Sequence, residues 1–311
     1  MWSNLTDPIT NECKKYSISE QAAIGYVMIV VNVIASVAGT IGNFLVCIAV
    51  FTSSKMASSF HYFITSLAMA DMLICGVDQP LLIALLYGRI HSECMKALFF
   101  AFRLIGNFAC AISLLTLGLI SVDRCLFVIR VCEYKNTMTM KKFVALVIVW
   151  TLSIVYSALR MTINKKITSY ITVAGFGLGY ITILLSYVVI FVQIRRHCRN
   201  QLLRDTESVE KNRNKVAIEQ VEGRKERRFA NTIILLLFVF SASWALLFYR
   251  RMTHPAEDYG IWYNIGRTVA LSSSAFNPFL YCFMNSEYRK AFKRILLKVF
   301  TRVNKGYKKI S

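Results

Sequence analysis

Seven apolar runs, near 22–51, 60–87, 97–122, 143–159, 169–194, 229–249 and 262–284, dominate this sequence. About 20 apolar residues cross the hydrocarbon core of a bilayer as one helix, and a helix satisfies its own backbone hydrogen bonds in lipid. With 56% hydrophobic and 13% aromatic residues in 311, the chain is too apolar for a single soluble core. The expected fold is an all-α integral membrane protein, a bundle of seven transmembrane helices over 21–284. A polar segment at 1–20 precedes it and a tail at 285–311 follows.

The basic residues orient the bundle. With the N-terminus outside, the external segments hold 9 Lys and Arg and the internal ones 26, so the expected topology is N-out and C-in. The same distribution accounts for the net charge of +20: it lies at the inner membrane edges, where anionic lipid attracts it. No soluble basic domain is present to bind nucleic acid. The first twenty residues are polar and the first apolar run is too long for a cleavable leader, so the first span is expected to act as its own insertion signal. Asn4, in "NLT", is a glycosylation sequon on the external side. Cys13 and Cys94 are the two cysteines in external segments. They fit either a disulfide or two separate thiols.

No internal repeat supports a transporter with related halves. The long internal loop, about 195–228, mixes both charges and reads as helical extensions of spans five and six. After span seven, Tyr288, Phe292, Ile295, Leu296, Val299 and Phe300 repeat at helical spacing, with Arg289, Lys290, Lys293, Arg294 and Lys298 on the other face. This is the pattern of an amphipathic helix on the inner leaflet, in contact with membrane lipids.

Polar residues inside the spans carry the functional information. Asn43, Asp71, Ser113, Ser273, Ser274 and Asn277 would together offer oxygens for sodium or a proton if they converge. A helix-packing polar network without an ion is the alternative. Pro278 removes one backbone donor from span seven, where a kink is expected, with Asn277 and water answering the freed carbonyl. Where span three ends, Asp123 and Arg124 face Glu226 at the foot of span six. An Arg124–Glu226 pair would hold the two spans together; a solvated interface charge is the alternative.

"GN" in span one, "LAMAD" in span two, "DRC" in span three, "FSASW" in span six and "NPFLY" in span seven, with the terminal amphipathic helix, resemble the rhodopsin-like (class A) G-protein-coupled receptors over nearly the whole chain. The resemblance implies a plasma-membrane receptor that binds an external ligand and activates a heterotrimeric G protein, with arrestin as a further partner. It places Asn43, Asp71, Ser113, Ser273, Ser274 and Asn277 at an allosteric sodium site. It makes Arg124, beside Asp123, the G-protein contact, Glu226 its lock partner, Phe240 and Trp244 the aromatic switch, and Tyr187 and Tyr281 the tyrosines that swing inward on activation.

Several positions depart from that pattern. Cys125 follows the arginine in place of tyrosine, and Arg160, Gly179 and Leu246 stand where helix prolines are usual. The disulfide at the top of span three is missing: Phe99 holds its position, and the short second external loop has no cysteine. These features lean toward the melanocortin, adenosine, cannabinoid and lysophospholipid group. Leu271 stands where an opsin needs its retinal-binding lysine, and Gly106 where an amine receptor has its carboxylate, so retinal and an amine held in the usual way are not expected.

The outer halves of the spans instead carry Asp78, Arg103, Asn107 and Arg267, with Arg250 and Arg251 at the top of span six. Arginine suits carboxylate or phosphate through paired hydrogen bonds, which points to an acidic lipid, a steroid-like acid or a peptide with an acidic residue. The alternative is a structural Asp78–Arg267 pair, with the other arginines reaching to water. No His-Glu-x-x-His, Gly-x-Ser-x-Gly or carboxylate pair at one depth supports an enzyme. The competing expectation is a non-signalling decoy or escort with the same fold.

Overall fold

The computed structural model describes residues 18–93, 95–129, 137–163, 165–205, 235, 238–247, 249, 253 and 260–310. Asn4, Cys13, Cys94, Glu226, Arg250 and Arg251 lie outside these residues. Among the described residues five helices are long and apolar enough to cross a membrane: Ser19–Thr52, Ser59–Ile90, Lys96–Phe127, Met140–Thr162 and Tyr170–Gln193. The sixth span is described over the shorter apolar helix Phe238–Leu247. The seventh comprises helix Ile261–Ser272, a 3-10 turn Ser273–Ala275 and helix Asn277–Met284, and helix Ser286–Ile310 follows it.

The bundle is inverted relative to a water-soluble one. Along the first span Val30, Ile34, Val37, Ile41 and Phe44 are exposed, whereas Asn32 and Asn43 are fully buried. Apolar outside and polar inside is the arrangement hydrocarbon demands, because a polar group facing lipid has no partner there. The third span packs on the second, fourth and fifth, and the first packs on the second and seventh. Trp150 Nε1 donates to Ser66 Oγ at 3.1 Å and Ser157 Oγ to the Leu104 carbonyl at 2.6 Å, tying the fourth span to the second and third.

Two prolines interrupt the spans, and each is answered from the first span. In the second, Ile74–Asp78 forms a π-turn in which the Gln79 amide bonds back to Ile74, five residues away. The next amide in that register belongs to Pro80, which has none. The carbonyl this leaves open, that of Cys75, accepts a hydrogen bond from Ser36 Oγ at 2.6 Å. In the seventh span, Pro278 follows the 3-10 turn, and the Ser274 carbonyl before it accepts from Asn43 Nδ2 at 3.2 Å. The expectation that Asn277 would answer this proline is therefore corrected: its amide donates to Asp71, and Asn43 reaches the carbonyl because Gly42 lets the two helices touch. A Cβ on Gly42 would meet the Pro278 ring at 2.9 Å.

The tail helix Ser286–Ile310 begins where Asn285 Oδ1 accepts from the Glu287 amide at 2.8 Å, a helix cap. Its Tyr288 and Ala291 are buried against the end of the bundle that carries Arg124, with Phe292 and Ile295 partly buried beside them, while Leu296 and Leu297 stay exposed. Burial pushes the Tyr288 phenol well above its ordinary value, so it is neutral at any physiological pH.

Replacing Asn43 by Ala leaves the Ser274 carbonyl without a donor in a water-poor interior, at a cost of about 1–3 kcal/mol. Thermal unfolding of the detergent-solubilised chain is expected to show an apparent Tm several degrees below wild type for Asn43→Ala. A Tm unchanged within a degree would mean that water replaces the amide.

Candidate functional site

Three sites are strung along the bundle. At one end a cavity of about 70 Å³ is lined by Asp78, Gly106, Asn107, Tyr156, Arg160, Phe176, Trp244, Tyr263 and Arg267, among others. Asp78 is fully buried, and neither of its carboxylate oxygens has a hydrogen-bond partner among the described residues. Arg267 supplies the opposite charge nearby. Its guanidinium also lies 4.4 Å from the Phe102 ring centre and 5.0 Å from that of Tyr263, so two aromatic faces hold the cation. The Tyr156 hydroxyl and Thr172 Oγ1 are 3.0 Å apart, closing the wall between spans four and five.

Gly106 decides where the carboxylate sits. A Cβ at this position would come within 2.6 Å of Asp78 Oδ2, so the missing side chain in span three makes the room that the span-two carboxylate fills. Of the residues expected at a ligand pocket, Asp78, Asn107 and Arg267 line the cavity. Arg103 does not: its guanidinium lies 5.8 Å from the Phe99 ring centre, which also has Arg89 at 5.7 Å. Arg89 in turn is bonded to Asn264. Arg160 is a cavity residue that the sequence did not mark as one. In the sequence it reads only as a substitute for proline at the end of the fourth run, yet it is 4% exposed and faces the site.

Deeper in the bundle a second cavity, about 10 Å³, is lined by Asp71, Ser113, Phe240, Ser273, Ser274 and Asn277, with Leu67, Leu117 and Val239. Asn277 Nδ2 donates to Asp71 Oδ2 at 2.6 Å, and Ser274 lines the same cavity. Ser113 Oγ is buried without a hydrogen-bond partner among the described residues, and Ser273 Oγ donates to the Ala270 carbonyl at 2.6 Å, keeping its lone pairs. Five of the six residues expected here thus converge on one space of about the size of a water molecule. Asn43 does not line it and acts one layer away, on the Ser274 carbonyl. A carboxylate, an orphaned hydroxyl oxygen and further serine oxygens around so small a space fit a hard monovalent cation such as sodium.

Between the two cavities the aromatic residues form a plug. Phe240 lines the inner cavity and Trp244 the outer one, with ring centres 5.5 Å apart. Phe176 of the fifth span packs on both, at 6.4 Å from Phe240 and 5.5 Å from Trp244. Nothing in the sequence singled out Phe176, because one aromatic in an apolar run has no signature of its own.

At the far end Arg124 is bonded to its neighbour Asp123 and lies between the Phe60 and Phe127 rings, at 5.2 and 5.1 Å. Both charged residues are buried. Asp123 is the hub: Lys142 Nζ lies 3.1 Å from Oδ1, and Ser59 Oγ donates to both oxygens at 3.2 and 3.3 Å. Lys142, from the fourth span, was not anticipated. Tyr281 is fully buried, its ring centre lies 5.6 Å from that of Tyr288, and its hydroxyl has no hydrogen-bond partner among the described residues. Tyr187 packs against the same apolar cluster.

Comparisons with known proteins agree with this architecture. Residues 42–281 match the 7 transmembrane receptor (rhodopsin family) profile. The chain belongs to that family, the class A G-protein-coupled receptors, and is a multi-pass membrane protein. It is 23% identical over 312 residues to the alpha-1A adrenergic receptor of Oryzias latipes and 24% identical over 314 to that of Bos taurus, covering 83% of this chain in each case. The match spans 64% and 65% of those relatives' own lengths, a little under two thirds. Squid rhodopsin superposes with a TM-score of 0.78 at 18% identity, covering 90% of this chain and 87% of that one, a likeness of fold.

Asp123 joins three spans through Ser59, Arg124 and Lys142, so Asp123→Ala strands two cations in a poorly hydrated site. Breaking one partner out of a buried charge cluster costs on the order of 3–5 kcal/mol. Surface expression and apparent Tm are both expected to fall sharply for Asp123→Ala and to recover in the double variant Asp123→Ala, Lys142→Met. No recovery would mean that Lys142 does not share the Asp123 charge.

Proposed function

We propose that this chain is a signalling receptor of the plasma membrane, N-terminus outside, that turns occupation of the outer cavity into activation of a heterotrimeric G protein at the Arg124 end. Arrestin is the second partner proposed for the same face. The observation that carries the proposal is the aromatic plug: Trp244 touches the ligand cavity and Phe240 the inner cavity, so a shift of one ring is a shift of both. In the resting state Arg124 is held by Asp123 between two rings, and the proposed Arg124–Glu226 pair adds the tie to span six. Release of Arg124, with Tyr187 and the orphaned Tyr281 hydroxyl finding each other or a shared water, is the active arrangement. No chemical reaction is part of this function.

Arg160 and Arg267 in the outer cavity support a ligand with an acidic group. The inner cavity is proposed to hold sodium, which would favour the resting packing because its small volume exists only while spans two, three, six and seven are close. The second reading is a receptor-like protein that does not couple, and Leu246 in place of the span-six proline favours it.

Ligand-independent signalling, measured for each main G-protein class at matched surface expression, separates the two. Basal activity is expected to rise in Glu226→Ala and to vanish in Arg124→Ala. Silence of wild type and both variants in every class would support the non-coupling alternative. Sodium chloride, against choline chloride at equal ionic strength, is expected to raise the apparent Tm of wild type but not of Asp71→Asn; an equal rise in the variant would leave the inner cavity a packing network.

A further inference from the structure

The outer cavity holds more unmet hydrogen-bonding capacity than an acidic ligand alone would use. Asp78 has two buried acceptor oxygens without a hydrogen-bond partner among the described residues, and Asn107 has a buried amide nitrogen in the same condition. Both residues line the one cavity, together with the buried Arg160 and with Arg267. A purely anionic ligand would meet the guanidinium groups yet bring a like charge to Asp78. A purely cationic ligand would suit Asp78 but share its space with two guanidinium groups. The groups present are complementary to one molecule carrying both charges.

We infer that the outer cavity binds a small zwitterion with the character of an amino acid, its ammonium group on Asp78 and its carboxylate on Arg160, with the Asn107 amide donating to the same carboxylate. The inference rests on the proposal that this cavity is the ligand site and names its ligand class. Gly106 is the specificity element. The absence of a side chain in span three sets Asp78 into the pocket, and a Cβ there would press on Asp78 Oδ2 at 2.6 Å. The size agrees: about 10–15 Å³ of this kind of space holds one water, so about 70 Å³ is room for about five to seven of them and suits a ligand with a handful of non-hydrogen atoms.

The test uses the full chain purified in detergent and follows apparent Tm against millimolar glycine, β-alanine and γ-aminobutyrate, with n-butylamine and butyrate as singly charged controls. Ligand that binds only the folded state raises Tm. At least one zwitterion is expected to raise it by about 2–4 °C at saturation, with each control raising it by less than a third of that. Asp78→Asn and Gly106→Ala are expected to abolish the shift, and Asn107→Ala to weaken half-maximal binding several-fold. Should Asp78→Asn fail to fold, Gly106→Ala and Asn107→Ala carry the comparison. Butyrate matching the zwitterions and surviving Asp78→Asn overturns the inference in favour of an anion site; butylamine alone doing so overturns it in favour of an amine site. No shift with any probe overturns it as well. None of these outcomes touches the signalling proposal, which stands or falls on the Arg124-dependent basal activity.

Discussion

Inside a bilayer a carbonyl without a donor has no water to turn to, and this bundle creates that problem twice, at Pro80 and Pro278. Both times the first span answers: Ser36 on the Cys75 carbonyl and Asn43 on the Ser274 carbonyl. Much else follows from these two bonds. The second and seventh spans can be irregular only because the first lies close enough to cap them, and Gly42 permits that approach beside Pro278. The irregularities in turn position the acidic residues, since Asp78 ends the π-turn and Asp71 faces the broken segment of span seven. Unsatisfied backbone costs several kcal/mol in hydrocarbon, so the caps are conditions for the sites rather than ornaments on the fold.

The same economy of partners shapes the interior. Asp71 has Asn277, and Asp123 has Ser59, Arg124 and Lys142, as buried carboxylates require. Asp78 stands apart: its oxygens have no hydrogen-bond partner among the described residues, and the charge that faces it is Arg267, braced by Phe102 and Tyr263. A group left incomplete where its neighbours are completed marks the place where a ligand would be felt. Trp244 lies on the wall of that cavity, and the stack through Phe240 and Phe176 leads from it to Asp71.

Legibility from sequence varied with the kind of signal. The spans were plain because apolar runs are a one-dimensional property, and the tail helix because amphipathic spacing is nearly so. Asp71, Ser113, Ser273, Ser274 and Asn277 stood out as polar residues in apolar runs, and the bundle does gather them around one cavity. Asn43 carried the same signal but serves as a backbone cap, a distinction that depends on which carbonyl Pro278 leaves open and on how close Gly42 lets it come. Arg103 and Arg160 illustrate the converse. Both are arginines near the end of a run, and only the rotation of each helix about its axis sends Arg160 into the cavity and Arg103 toward Phe99.

What the sequence alone determined is membership and layout: a seven-span chain, the inverted distribution of polar residues, and the motif set of the rhodopsin family. These depend on residue type and spacing along the chain. The tertiary structure decided which carbonyls the caps reach, that Gly106 in one span makes room for Asp78 of another, that Lys142 joins the Asp123 cluster, and that Phe176 completes the plug between two cavities. Those are relations among helices far apart in sequence. They depend on angstrom-scale approach and axial rotation in a close-packed interior, quantities that no single span encodes.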